Sequence, residues 1–200
     1  MPKFNLSGFV YLLAFISLLL SGCCGAKKQQ PQEAVTIKTA AAEKQQPQEA
    51  VILKTNVKIT ADQENEKLVL GALWLLQNRT PAFARLVEEN VEEIRQSKGT
   101  FTAGPIKTIG GTARIEFKNF VGRYNEYNIA LFLVHEATHI VDIKNGLPLT
   151  RAAEIKAREA EISFLKELES VENRSLEPII KFVQNEIRQI QDGKLYSDLD

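Results

Sequence analysis

Histidine is almost missing from this chain. Two hundred residues contain only two, His135 and His139. No third histidine can complete a metal site or steady a transition state. Cysteine is as scarce. Cys23 and Cys24 are adjacent near the N-terminus, which gives neither a disulfide framework nor C-x-x-C metal spacing. Neither sign of charge is in excess. Lys+Arg and Asp+Glu number 25 each, a formal net charge of zero, so bulk electrostatics suggest no nucleic-acid partner. No apolar stretch near the N-terminus reaches the roughly 20 residues of a comfortable membrane span. What is present is a hydrophobic fraction of 44%, enough for the core of one domain with accessory segments.

Those accessories come first. Lys3 precedes an apolar run from Phe9 to Leu20, broken only by Ser17, which has the length of a signal peptide's apolar core. The run ends Leu20-Ser21-Gly22-Cys23. This resembles the bacterial lipobox, and the competing reading is an ordinary secretory signal or an uncleaved anchor. The resemblance implies a signal peptide over 1–22, lipidation of Cys23, anchoring to a membrane by several acyl chains, and a place in the cell envelope facing the periplasm or exterior. Residues 23–55 then read as a tether. Lys28-Gln29-Gln30-Pro31-Gln32-Glu33-Ala34-Val35 recurs as Lys44-Gln45-Gln46-Pro47-Gln48-Glu49-Ala50-Val51, a duplication with a period of sixteen. Two copies are too few for a solenoid, and this composition cannot bury a core. A ligand for a wall or membrane partner is the alternative to a spacer.

Residues 56–200 carry the globular pattern. Asn56 to Thr60 reads as a short strand or the lead-in to a helix. Asp62 can cap a helix to about Asn78. Its run Leu68 to Leu76 is apolar all round, which predicts deep burial with Trp74 in the core. Thr80-Pro81 opens a second helix. Phe83, Leu86, Val87, Val91 and Ile94 keep helical spacing, with Glu88 to Glu93 mostly on its solvated face. Ile106 to Ile109 and Thr112 to Phe117 read as a hairpin about Gly110-Gly111. Asn125 caps a third helix, ended by Asn145-Gly146. Thr150 caps a fourth, to about Asn173. A last helix runs from about Leu176 to Asp192, with Ile179, Ile180, Phe182, Val183, Ile187 and Ile190 inside it. The expected fold class is α+β, mainly helical, with a small β-hairpin or sheet packed on the third helix.

That third helix contains His135-Glu136-Ala137-Thr138-His139, an H-E-x-x-H pattern. On a helix the two histidines lie one turn apart on one face, so both imidazoles reach one zinc ion. Glu136 falls at the flank of that face, where it takes a proton from activated water without being a ligand. Two idle surface histidines are the bland alternative. However, Ile129 to Val134 carries no charge, so the helix is buried on most sides and its polar stripe needs partners. With no spare histidine, a carboxylate must be the third ligand. On the next helix Glu154, Arg158 and Glu161 fall within the apolar face, while Glu159, Lys166 and Glu167 fall on the opposite side. A charge in an apolar face is costly unless paired or metal-bound. The ligand is therefore Glu154 or Glu161, which lie about 10 Å apart along the axis and cannot both bind one ion. Glu154 is better placed, directly after a short loop. Arg158 and Glu161 then pair as support, or all three form a purely structural ion network.

The pattern resembles the zincin metallopeptidases, and among them the gluzincins, with H-E-x-x-H on one helix and a Glu ligand on the next. Glu154-Ile155-Lys156-Ala157-Arg158 is similar to the E-x-x-A-D form of their second motif. It departs at Arg158, where an acidic residue is common, and Asp142 is a candidate to partner His135 instead. The resemblance covers about Lys107 to Leu168. It implies a zincin-like domain, and an edge strand before the motif helix, matched in position by Thr112 to Phe117, that pairs with an extended peptide substrate.

The function expected is a membrane-anchored zinc metallopeptidase, an endopeptidase rather than an exopeptidase. His135, His139 and Glu154 hold Zn2+, and Glu136 is the general base. Tyr124, Tyr127 and Tyr196 are candidate oxyanion donors. The alternatives are a non-catalytic envelope lipoprotein of zincin-like fold that binds a partner or zinc, and a structural envelope protein without metal.

Overall fold

The computed structural model describes residues 55–98, 103–107 and 113–199, the segment 103–107 by its backbone alone. The segments expected to form a signal peptide, a tether and the Gly110-Gly111 turn, and Cys23 with them, lie outside the described residues. No described helix is long and apolar enough to cross a membrane.

The fold is α+β and mainly helical. Strand β1 (Lys58–Thr60) leads into helix α1 (Gln63–Arg79). Asp62 caps α1 by accepting from the Asn65 amide at 2.9 Å. Acidic Glu64 and Glu66 at its start and Arg79 at its end suit the helix dipole. Val69, Ala72, Leu73, Leu75 and Leu76 are buried. Trp74, expected in the core, is only partly buried and packs against the core's rim, because α1 keeps one side toward solvent. Helix α2 (Pro81–Asn90) starts at once. Thr80 is both the C-terminal cap of α1 and the N-terminal cap of α2.

The second helix stops earlier than its spacing predicts. Val91 is extended, and Glu93–Gln96 forms strand β2. Ile94 pairs with Ile59 of β1 on one side and Ile115 on the other. The apolar spacing of Val91 and Ile94 fits either period over so short a stretch, and the β-branched side chains pack in a sheet centre. Glu93, expected on a solvated face, is 4% exposed. Its carboxylate accepts from Thr60 Oγ1 at 2.9 Å and meets Arg95 at 2.9 Å and Arg114 at 3.0 Å.

Strands β3 (Ala103–Lys107) and β4 (Ala113–Phe117) pair antiparallel, as the hairpin reading requires, though β3 begins three residues before the expected strand from Ile106. The four-stranded sheet has the order β1-β2-β4-β3, with β1, β2 and β4 parallel. This corrects the expected edge strand. β4 is interior because β2 occupies its other side, and the edges are β1 and β3.

Helix α3 (Glu126–Lys144) carries the H-E-x-x-H segment. Asn125 and Asn128 cap it reciprocally. Every residue from Ile129 to Ile140 is buried. α3 packs against α1, α2, β3, β4 and α4 (Arg151–Glu172), so it is the axis of the domain. Gly146, with φ +74°, turns the chain back, and the Thr150 side chain accepts from the Ala153 amide at 3.2 Å to start α4. Helix α5 (Glu177–Gln191) packs on α4. It is rotated from expectation: Ile179 is 37% exposed, while Glu186 is buried beside Ile180, Val183 and Ile190.

Candidate metal centre

The reversal between α3 and α4 brings three donor groups to one point. His135 and His139 stand one turn apart, with their Nε2 atoms 3.0 Å from each other. Glu154, in the first turn of α4, places Oε1 3.3 Å from His139 Nε2 and Oε2 3.6 Å from His135 Nε2. These three donors can hold a metal ion, and all three residues are buried. Donors about 2 Å from a tetrahedral ion lie roughly 3.3 Å from one another, so the separations fit without rearrangement.

The electrostatics fit as well. Glu136 is 0% exposed, and neither of its carboxylate oxygens has a hydrogen-bond partner. Glu154 Oε2 and His139 Nδ1 are also enclosed and unpartnered. An unsatisfied buried group costs about 1–3 kcal/mol, more when charged. Burial pushes the Glu136 carboxyl up to about 8. Burial pulls His139 down. Burial also works to lower His135, but the carboxylates of Glu154 and Glu161 outweigh it and hold the imidazole well above its ordinary range. Burial would raise Glu154, yet the imidazoles of His135 and His139 beside it hold it far below the usual carboxylate range. The groups are thus tuned against one another, and a cation among them must displace a proton from His135.

Glu161 is not a third donor. It accepts at His135 Nδ1, the far side of the ring, at 2.8 Å. Such a contact fixes the tautomer that leaves Nε2 for an ion. Both candidate carboxylates of α4 therefore touch the same histidine, one at each nitrogen. Arg158 Nη1 holds both Glu161 oxygens at 3.0 Å. Asp142, the expected alternative partner of His135, is instead drawn to the Lys156 ammonium, and Glu161 takes its place. Glu159 is exposed, as its place on the helix predicts.

Of the three tyrosines, Tyr127 donates to Glu172 at 2.9 Å beneath the Arg174 guanidinium. Tyr124 packs edge-on against Phe120. Tyr196 alone joins the centre. It is buried, with a left-handed φ of 54°. Burial and then the charge of Glu154 push its phenol above the ordinary range, while the positive charge of Arg158 opposes this. Sequence reasoning missed Glu186, whose Oε2 lies 3.2 Å from Arg158 Nη1. Glu186 continues the spacing of Ile180 and Val183 by three more residues, but the isoleucines of α5 offer more than one such face.

No model of a known protein family matches the chain, and no curated protein or solved structure matches it either. The resemblance to gluzincins therefore rests on the motif residues themselves.

Proposed function

We propose that the chain is a zinc-dependent metallopeptidase, tethered to a bacterial membrane through lipid on Cys23 and acting on peptide or protein substrates at the cell envelope. The observation that carries this reading is Glu136, a fully buried carboxylate without a partner, one residue from the first of three converging donors. Two imidazoles and one carboxylate, with no thiolate, form a donor set of catalytic zinc sites. Bound zinc would supply Lewis acidity, lowering the pKa of water and polarising a carbonyl. The chain's own groups do the rest. Glu136, raised toward neutrality by burial, takes the proton from attacking water and delivers it to the leaving amine. Tyr196, beside Glu154 and Arg158, donates to the developing oxyanion. An extended peptide pairs along β3, the edge strand packed against α3.

The deep burial of all three donors favours a second reading, a closed zinc site without catalysis. Metal analysis of the purified protein, followed by peptide-library cleavage with and without chelator, tests both. Glu136→Gln should retain zinc and abolish cleavage. Stoichiometric zinc with no cleavage in the parent leaves the second reading, and no metal at all ends both.

A further inference from the structure

The ion network behind His135 does not stop on α4. Arg158 Nη1 faces both oxygens of Glu161, and the same nitrogen meets Glu186 of α5 at 3.2 Å. Arg158 is 2% exposed and Glu186 7%. Glu186 occupies the buried stripe of α5, between Val183 and Ile190, where an apolar residue would pack without cost. Replacing a whole buried ion pair by apolar groups is often neutral or stabilising, and without Glu186 the Arg158 guanidinium still has Glu161 as its counter-charge. Stability alone therefore gives little reason for a carboxylate there. Geometry gives one. A guanidinium held only by Glu161 could swing with it. Drawn also toward the Glu186 carboxylate of α5, an ion pair at 3.2 Å without hydrogen-bond alignment, it is held by charge from two helices, and it holds Glu161 in turn.

We propose that Glu186 is a positioning residue of the metal centre: through Arg158 and Glu161 it holds His135 with Nε2 turned toward His139 and Glu154, so that the docking of α5 sets metal affinity. This rests on the metal-site reading above. Glu186 touches neither ion nor substrate. It acts on the orientation of a ligand, as outer partners of metal-bound histidines do, where loss typically costs about 10–100-fold in affinity.

The test is competitive chelator titration of Zn2+ against the purified protein, with thermal denaturation of the chelator-treated form in parallel. Glu186→Gln and Glu186→Leu should each weaken zinc binding by about 10-fold. Glu186→Leu should keep or raise the metal-free melting temperature, which separates positioning from structural support. The control is Glu169→Gln. Glu169 Oε1 accepts from the Leu176 amide at 2.7 Å, so it secures the α4–α5 connection without touching the network. That variant should bind zinc like the parent. A second readout is the imidazole nitrogen spectrum of the zinc-loaded protein, simple to assign with two histidines. The His135 Nδ1–H signal should move upfield in the Glu186 variants as its hydrogen bond to Glu161 weakens. Parent-like zinc affinity in both Glu186 variants overturns the proposal. So does a Glu169→Gln variant that loses as much affinity as Glu186→Gln. A parent that binds no zinc overturns the metal-site reading itself, and this inference with it.

Discussion

Glu136→Gln should change the pH dependence of stability before it changes anything else. Both oxygens of Glu136 are enclosed without partners. Burial raises its carboxyl from 4.5 to about 8, with His135 pulling it back and Glu154 and Glu161 adding to the rise. Between those two values the folded, metal-free protein keeps a proton that the unfolded chain has released. The stability this confers is fully present below about pH 4.5 and is lost as pH rises to about 8. The slope is about 1.4 kcal/mol per pH unit, so the window carries on the order of 5 kcal/mol. Glutamine has nearly the same shape and does not ionise, so it removes this contribution and leaves the other titrations of the site in both proteins. Urea unfolding of chelator-treated parent and variant at pH 5, 6, 7 and 8 measures it. The difference should grow by several kcal/mol in favour of the variant as pH rises. Loading with zinc should shrink it, because a cation beside the carboxylate favours its charged form. A difference that stays within about 0.5 kcal/mol at every pH refutes the enclosure of Glu136, a limit near the scatter of surface substitutions.

Other perturbations probe other parts. Glu154→Ala should remove most zinc binding in chelator titration, while the exposed Glu159→Ala should bind like the parent. Arg158→Met strands Glu161 and Glu186 without their cation. It should cost about 3–5 kcal/mol, read as a fall of roughly 10 °C or more in the melting temperature of the metal-free protein. Cys23→Ser should move the protein from the membrane fraction to the soluble one, or block its processing. A variant still lipid-labelled and membrane-bound would sink the lipobox reading.

The helices were legible because their ends carry chemistry. Asp62, Pro81, Asn125 and Thr150 each open a helix where a cap or a first-position proline belongs. The convergence of His135, His139 and Glu154 was legible because charge inside an apolar face demands a partner, and only one short loop separates the two helices. β2 was not legible. Four residues with two apolar positions fit both periods, and the deciding term is long-range pairing with β1 and β4. The edge strand was misplaced for the same reason. Glu186 was hidden because the isoleucines of α5 spread over more than one face, and the choice among faces belongs to α4, which offers Arg158. Glu161 was placed correctly on its helix face but not on its histidine, since the depth at which α4 lies against α3 is set by packing rather than by periodicity.

Charge arithmetic at the junction of α3, α4 and α5 narrows what the centre accepts. Glu136, Glu154, Glu161 and Glu186 are buried there with one guanidinium, Arg158. With these ionised and both imidazoles neutral, four negative charges face one positive charge, an excess no protein interior holds cheaply. An anion would deepen it, and a neutral ligand would leave it unchanged. Protons are the only other remedy, and the raised carboxyls of Glu136 and Glu186 and the raised imidazole of His135 show where they go. A dication offsets two charges at the one point where three donors already stand at bonding separations. It must displace the His135 proton, so its binding strengthens as pH rises. Binding then becomes folding free energy. Zinc at one hundred times its Kd adds about 2.7 kcal/mol of stability. Glu159→Ala should keep that increment, measured as the gap between zinc-loaded and chelator-treated unfolding curves, and Glu154→Ala should lose it. If Glu154→Ala gains as much from zinc as the parent does, the ion sits elsewhere and the negative excess of the junction is neutralised by protons alone.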